Sequence, residues 1–484
     1  MADILFLQGG GHWDTFKSHP ELPLGILSAS VFAHENYDIK IIDMRVEKGW
    51  EAILKQELTR GPLMVAFSCI LGVPVKQGLE ASKVVKAVSD VPVVWGGAGP
   101  SSIYMETIKH PLVDIVVRGE GEYALQELAD ALKTGSSLKE IKGLVYKEEG
   151  KIIINEEREF CDLNELPLLP YHLVDIENYK VLRRGVPAIS IETSRGCPHN
   201  CTFCSNSHLN KHKWRCFSAE ESVRRIEYAC KTLKVNAFFI IDDNFFVNIK
   251  RTRAILQGLL DKNLKIIYEL QGARIDSLDM MTDEDIELLE KTGCQQLDMG
   301  LESGSQKILD SLHKGYKVEQ LFRVNQRLSK TKINLAYNVI VGYPNETYED
   351  LTTTIKTILQ VLAENKQSHI TSVNSLLVHP ATQMFEDCKD MIKTDLTLED
   401  VVNLDYANII YPWLTPERAK LLEAITISAN FIDDKVFHYV HSPMIRLFTY
   451  FYQPIAKWRF RNMNFNFMFE VFLKKLLFKF YNLG

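Results

Sequence analysis

The sequence predicts an α/β protein: a doubly wound, Rossmann-like parallel sheet at the N-terminus, then an incomplete TIM-like barrel of six β-α units, then a helical C-terminal region. Three observations predict it. Short apolar runs alternate with helix-length stretches in two successive series, small residues cluster just after those runs, and the alternation ceases near residue 390. Such alternation predicts parallel sheets covered by helices, with ligands at the carboxyl ends of the strands.

The first series occupies residues 1–135, with strands expected at 4–7, 39–43, 64–68, 91–95 and 114–117. Gly9 to Gly11, Ser68, Gly96, Gly97 and Gly119 to Gly121 follow those strands, and small residues there let a bulky ligand approach the backbone. Residues 136–185 hold a charged, hairpin-like stretch, KGLVYKEEGKIIINEE, and then LNELPLLPYHL, which together read as a connector. The second series covers 186–390, with strands expected at 188–192, 237–241, 266–270, 296–299, 334–341 and 370–377. From 391 to 484 the pattern is helical. Its last 42 residues carry seven Lys and Arg among many aromatics against the single acid Glu470. No internal repeat or low-complexity tract interrupts the chain.

At 484 residues the chain exceeds one hydrophobic core, so several domains are expected. Hydrophobic residues at 46% and charged residues at 24% are ordinary for a soluble globular protein. A net charge of -6 argues against general nucleic-acid binding, which needs surplus Lys and Arg. The start, MADILFLQGGGHWD, lacks the basic region and apolar run of a secretion signal. No run of eighteen apolar residues predicts a membrane span. Nine cysteines, three of them within eight residues, favour metal ligation in a reducing, cytoplasmic compartment over a disulfide framework.

Those three are Cys197, Cys201 and Cys204, in the spacing C-x3-C-x2-C just after the first strand of the second series. Three thiolates on one loop can ligate three irons of a four-iron cluster and leave the fourth open to a small chelating molecule. A structural zinc site that recruits Cys216, or three unrelated core thiols, are the competing readings, although zinc favours a second C-x2-C pair that the sequence lacks.

The loop SRGCPHNCTFC, so placed, resembles the signature of the radical S-adenosylmethionine superfamily. The resemblance implies a 4Fe-4S cluster on Cys197, Cys201 and Cys204 as the catalytic centre. Its open iron would bind S-adenosylmethionine and cleave it reductively to a 5'-deoxyadenosyl radical, with the electron coming from a donor such as flavodoxin or ferredoxin. Phe203 would lie beside the adenine. Strand two runs into IIDDNFF with Asp242, Asp243 and Asn244; strand three into QGARID with Gln271 and Arg274; strand four into GLESGS with Glu302 and Ser303. The resemblance places Asp242, Arg274, Glu302 and Ser303 around S-adenosylmethionine, with Glu302 and Arg274 near its ribose and carboxylate; taken singly, each reads equally as a helix cap or a surface pair. Strand five enters NVIVGYPNETYED, which resembles the family's Gly-rich turn and assigns Val341 and Gly342 to the adenine wall, with Asn345 where Gly is common. VHPATQMFED resembles a Pro-Gly-Thr segment in which Ala381 replaces the Gly.

A doubly wound N-terminal sheet could hold a nucleotide, a flavin or cobalamin. GGGH after the first strand is not G-x-G-x-x-G, which demotes a dinucleotide. ELPLGILSAS, VAFSCILG, WGGAGPS and VVRGEGEYALQEL instead resemble the cobalamin-binding domain fused to one class of radical S-adenosylmethionine enzymes. That likeness spans most of 1–135 and implies a cobalamin site lined by Pro23, Gly25, Ser68, Gly96, Gly97, Gly119 and Glu120. The D-x-H-x-x-G loop that gives cobalt a His ligand elsewhere is absent, and His12 reads as readily as a turn residue. A cofactor-free packing domain is the alternative.

Joined, the two resemblances imply hydrogen abstraction from an unactivated carbon of a small-molecule, lipid-like or peptide substrate, followed by methyl transfer from methylcobalamin. The apposed carboxyl ends of two parallel sheets would form the cavity. An oxidative cyclase or ring-rearranging enzyme without methyl transfer, and a cluster-bearing regulatory protein without turnover, are the other readings. The basic aromatic tail at 443–484 can lie on an anionic membrane surface, form a lid for an apolar substrate, or cap the barrel as a packed helix. Cys69, Cys161, Cys216 and Cys294 read as packed thiols, with Cys216 and Cys294 as hydrogen-atom donors if they face the barrel cavity.

Overall fold

The computed structural model describes residues 2–11, 19–404, 411–434, 443–466 and 471. They divide into two compact units, the first comprising Met1–Gly196, Ser205–Phe238 and His379–Asn408, the second Cys197–Cys204, Phe239–Val378 and Ile409–Gly484. His12 and the tail residues Glu470, Lys474, Lys475 and Lys479 lie outside the described residues.

In the first unit, β1 (Ile4–Gln8), β2 (Ile39–Asp43), β3 (Met64–Ser68), β4 (Val93–Gly96) and β5 (Ile115–Val117) form the expected parallel sheet, in the order β2-β1-β3-β4-β5. Helices cover both faces, so the strands are apolar at nearly every position and not at alternate ones. Trp95 on β4 is fully buried, 5.4 Å from the Phe67 ring, with its indole N–H on Ser82 Oγ at 3.1 Å. The chain leaves β1 for β2 on one side and returns to β3 on the other. That reversal opens a crevice at the carboxyl ends of β1 and β3.

The stretch read as a connector extends this sheet: β6 (Leu144–Glu148) pairs antiparallel with β5, and β7 (Lys151–Ile154) with β6. Glu149 and Gly150 turn the hairpin with φ of 47° and 76°, the two positive values that a tight two-residue hairpin turn requires. A late segment joins the same unit, because Leu398 and Val401 of the short helix Leu398–Val402 pack into the core that holds Leu79, Val85 and Trp95.

The chain continues through the hairpin β8 (Val181–Arg183) and β9 (Val186–Ile191), the ribbon β10 (Ser194–Gly196) and β11 (Trp214–Cys216), and β12 (Ala237–Ile240). The second unit contributes β13 (Ile267–Ala273), β14 (Cys294–Glu302), β15 (Asn334–Val341) and β16 (Ser368–Ser375), paired in sequence and all parallel. All six strands expected after residue 186 therefore form, as β9 and β12 to β16, in the βα series of an incomplete barrel. Capping boxes on Thr282 with Asp285 and on Thr347 with Asp350 start the helices Asp283–Lys291 and Tyr348–Glu364.

The C-terminal part is helical, with Pro416–Ala429 and Pro443–Asn462 as its longer helices. Among the described residues no helix is long and apolar enough to cross a membrane.

Ala381 adopts φ 61°, the left-handed region. That explains why Gly is usual at this point of the resembled segment: only Gly escapes the Cβ clash there. Ala381→Gly is expected to stabilise the protein by about 1 kcal/mol, the left-handed penalty less the extra unfolded-state freedom of Gly. Denaturant unfolding measures it, and a destabilised variant refutes it.

Candidate active site

Gly196, at the end of β10, takes φ 84°, and a Cβ there would lie 2.1 Å from the Lys213 carbonyl oxygen. Only glycine lets the ribbon close so tightly before the chain enters the cysteine loop. The loop 197–204 is then tied into the second unit. Thr202 N donates to the Leu312 carbonyl at 3.1 Å, and Cys204 N to the Cys201 carbonyl at 3.2 Å.

Two of the three thiols meet nitrogen donors. Asn244 Nδ2 stands 3.8 Å from Cys197 Sγ, and an Arg274 guanidinium nitrogen 3.7 Å from Cys201 Sγ. Burial pushes the Cys197 thiol above its ordinary pKa, against the pull of neighbouring donors that include the Asn244 amide. Among the described residues no three His, Cys, Asp or Glu converge on one ion, and a cubane needs no such convergence because it takes one thiolate per iron. Three cysteines on one short loop, with nitrogen donors aimed at the sulfurs of Cys197 and Cys201, are a donor set that suits a cluster.

Around the loop, Lys314 Nζ bonds Glu302 Oε1 at 2.8 Å and stands 5.7 Å from the centre of the Phe203 ring. Burial would lower the Lys314 ammonium pKa, and Glu302 with the Cys201 thiol outweighs it, so the pKa stands above its ordinary value. Glu302 itself ends β14 with φ 57°, an uncommon and costly conformation for a non-glycine residue. Gly300 makes room for the pair: a Cβ there would lie 2.0 Å from Glu302 Oε1. Arg274 forks onto Asp276 at 2.9 and 3.0 Å and also reaches the Lys314 carbonyl. Thus Phe203, Arg274 and Glu302, three of the expected residues, gather with Lys314 beside Cys201.

Other expected residues stand differently. Ser303 is buried with its hydroxyl on Thr354 Oγ1 at 2.9 Å and on the Ser305 N–H, so it serves the packing of helix Tyr348–Glu364. Asp242 is buried after β12, and its carbonyl oxygen would lie 2.3 Å from a Cβ on Gly272. Val341 is fully buried at the end of β15, and Gly342 follows with φ 88°. Gly342 is gripped from two sides. Its N–H donates to Glu346 Oε2 at 2.8 Å, its carbonyl accepts from Trp413 Nε1 at 3.0 Å, and Arg418 holds Glu346 at 3.1 Å. Asn345, where Gly is common, stays out of the left-handed region, so its side chain costs the turn nothing. Next to Gly342, Tyr343 buries its hydroxyl without a hydrogen-bond partner. Burial first, then the Glu302, Glu346, Tyr316 and Cys201 charges, raise this phenol's pKa well above ordinary. An orphaned buried donor within the influence of Cys201 and Glu302 suits a site that receives a polar ligand.

In the first unit the expected corrin residues share the carboxyl end of the sheet. Ser68 ends β3 and Gly96 ends β4; a Cβ on Gly97 (φ 91°) would lie 3.0 Å from Ser68 Oγ, and one on Gly25 3.7 Å from it. Pro23 caps the helix Leu24–Ala29, and the N–H of Gly119 (φ 76°) donates to Ser101 Oγ at 2.9 Å. Glu120 has a second occupation. Arg195 reaches it at 3.0 Å and Arg215 at 2.8 Å, and these two arginines stand directly opposite each other across β10 and β11. Arg195 further bonds Glu122 and Glu192, each at 2.7 Å, and Ser28 Oγ at 2.7 Å.

Sequence reasoning passed over Lys314, Tyr343, Trp413, Arg418 and both arginines. Arg195 lies inside the cysteine-loop motif and Tyr343 inside the turn motif after β15; the others carry no local signal, because their roles arise from contacts across the fold. Of the remaining cysteines, Cys294 opens β14 at its amino end, away from the carboxyl-end loops, and Cys216 sits in β11 opposite Ser194. Burial, with Glu120 beside it, pushes the Cys161 thiol up to about 12.

Residues 191–358 match the Radical SAM superfamily, and residues 18–129 the B12 binding domain. An "uncharacterized methyltransferase" of Pyrococcus horikoshii is 31% identical over 338 residues, 69% of this chain and 72% of that protein. The anaerobic magnesium-protoporphyrin IX monomethyl ester cyclase of Rubrivivax gelatinosus is 25% identical over 346 residues, covering 69% of this chain and 59% of the cyclase. Among solved structures, the cobalamin-dependent S-adenosylmethionine radical enzyme OxsB, with aqua-cobalamin and S-adenosylmethionine bound, superposes with a TM-score of 0.75 at 20% identity, over 99% of this chain and 75% of OxsB. At that identity the superposition establishes the fold.

Burial alone would raise the Glu120 carboxyl, and Arg195 with Arg215 more than reverses it, leaving its pKa below the ordinary 4.5. A depressed folded-state pKa contributes stability above the ordinary carboxylate range and loses it as pH falls through the depressed value. Glu120→Gln is therefore expected to cost about 3 kcal/mol at neutral pH, as for a buried network deprived of one partner, and the gap to the wild type should close on acidification. A gap that is absent at pH 7, or that does not change with pH, contradicts the assignment.

Proposed function

The chain belongs to the radical S-adenosylmethionine superfamily, in the class that joins a B12-binding domain to the radical barrel, and from that premise we propose that it methylates an unactivated carbon of a small-molecule, lipid-like or peptide substrate. Its cofactors are a 4Fe-4S cluster, S-adenosylmethionine and cobalamin. When bound, they supply a 5'-deoxyadenosyl radical and a methyl carrier. The observation that carries the reading is the gathering of Phe203, Arg274, Glu302 and Lys314 beside the three-cysteine loop, in a chain that also has a B12-binding domain.

In this reading Cys197, Cys201 and Cys204 would hold the cluster, which would supply reductive cleavage of S-adenosylmethionine. Asn244 and Arg274 donate to the thiolates; such donors favour the charged sulfur and tune the cluster's potential. Lys314 and Glu302 form a fixed ion pair that orients S-adenosylmethionine, with Phe203 against its adenine. Glu346, Trp413 and Arg418 hold the Gly342 turn rigid as the opposite wall. Ser68, Gly96 and Gly97 keep the floor of the first unit's crevice low enough for a corrin ring. The electron comes from a one-electron donor such as flavodoxin or ferredoxin.

Methyl transfer is supported by the methyltransferase relative at 31% identity. A second reading, cyclisation or rearrangement without methyl transfer, is supported by the cyclase relative at 25%. Turnover with S-adenosylmethionine labelled in its methyl group separates them: label in the product supports methylation, and an unlabelled oxidised or rearranged product supports the second.

Cys201→Ala is expected to abolish both the four-iron absorption band and 5'-deoxyadenosine formation. Lys314→Met should keep the cluster yet weaken S-adenosylmethionine binding about tenfold to a hundredfold, the usual scale for losing an orienting partner. Isothermal titration of the reconstituted enzyme checks this. Unchanged affinity removes Lys314 from the site.

A further inference from the structure

We propose that the helix Pro443–Asn462 docks this enzyme onto an anionic lipid surface, lying in the headgroup plane with its outer face toward the acyl chains. The proposal concerns where the enzyme works and does not depend on which reaction it performs.

The helix is two-faced. Inward, Tyr452, Ala456 and Phe460 are buried; Tyr452 bonds Ser428 at 2.9 Å and stacks on Phe448 with ring centres 5.3 Å apart. Outward, Leu447, Tyr450, Phe451, Ile455 and Trp458 are 45% to 68% exposed. Their spacing of three or four places them on one stripe. Five of the thirteen exposed large hydrophobics among the described residues thus fall within twelve residues of one helix. Scattered singly, exposed apolar residues need no explanation; gathered in a patch, they mark a contact surface.

Charge selects the occupant. The helix contains no Asp or Glu, and Arg446 and Arg461 flank the stripe near its two ends, both exposed. Of the helix's other two cations, Arg459 is buried and Lys457 pairs with Asp434 at 3.2 Å, so Arg446 and Arg461 carry the charge of this face. An anionic headgroup layer attracts such a surface while the acyl boundary accepts its apolar side chains. Tyr450 and Trp458, apolar in body and polar at one atom, are side chains that settle at that boundary. A second copy fits less well, because a two-fold contact of this face with itself brings like-charged arginines together.

The test uses the full-length protein and sedimentation with vesicles of phosphatidylglycerol and phosphatidylcholine in equal parts, or of phosphatidylcholine alone. The wild type should pellet with the mixed vesicles at low salt and at least about tenfold less with the neutral ones or at high salt. Phe451→Ser combined with Trp458→Ser should reduce binding to the mixed vesicles at least about tenfold, with circular dichroism and cluster absorption unchanged. No pelleting of the wild type, or equal pelleting of the variant, overturns the proposal. So does a wild-type dimer, seen by light scattering, that the variant abolishes while vesicle binding is absent, since the face then belongs to a second copy.

Discussion

One carboxylate shared by two arginines fixes the root of the cysteine loop. Arg195 and Arg215 face each other on a three-residue ribbon, and Glu120, at the start of the turn after β5, holds both. Three rungs of antiparallel pairing are weak by themselves, and Gly196 has no side chain to stiffen the exit. The ribbon therefore depends on its arginine anchors, which burial strengthens because little water competes. Arg195 gains two further carboxylates and a hydroxyl, so the guanidinium fork is filled. The ribbon from which the cysteine loop departs is thus held by side chains of its own unit.

The same economy recurs within the second unit. Gly342 must adopt a left-handed conformation to turn the chain after β15, and Glu346, Trp413 and Arg418 converge on its two backbone groups. Burial raises the Glu346 carboxyl above its ordinary value, against the pull of the Gly342 N–H and Arg418. Rigid walls matter more in radical chemistry than in most catalysis, since the reactive species must meet one carbon and nothing else.

Much of this was legible in the sequence, for identifiable reasons. Parallel strands buried on both faces write themselves as continuous apolar runs, so the five parallel strands of the first sheet and all six of the second series stand where those runs occur. The three cysteines are legible because three soft ligands at such short spacing suit a cluster and little else. Lys314 was illegible, because a single Lys in SLHKGY means nothing until the fold brings it to Glu302. Glu120 was half legible: its position after β5 marks the ligand-bearing end of the sheet, yet its partners come from a ribbon 75 and 95 residues later. The packing of Leu398 and Val401 into the first unit was hidden for the same reason, since an amphipathic turn does not name the surface it covers.

Backbone strain separates two kinds of departure from ordinary sequence. Ala381 and Glu302 both occupy the left-handed region, with φ of 61° and 57°. At Ala381 a glycine would serve the turn better. Glu302 differs, because glycine there would forfeit the carboxylate that holds Lys314, and Lys314 would then stay buried without its partner. Strain of about one to three kcal/mol persists where the surroundings over-determine it, and here Gly300 has been left bare to admit the strained side chain and its ammonium. A costly backbone conformation retained together with a fitted cavity and a buried counter-ion identifies Glu302 as the residue around which this end of the barrel is organised.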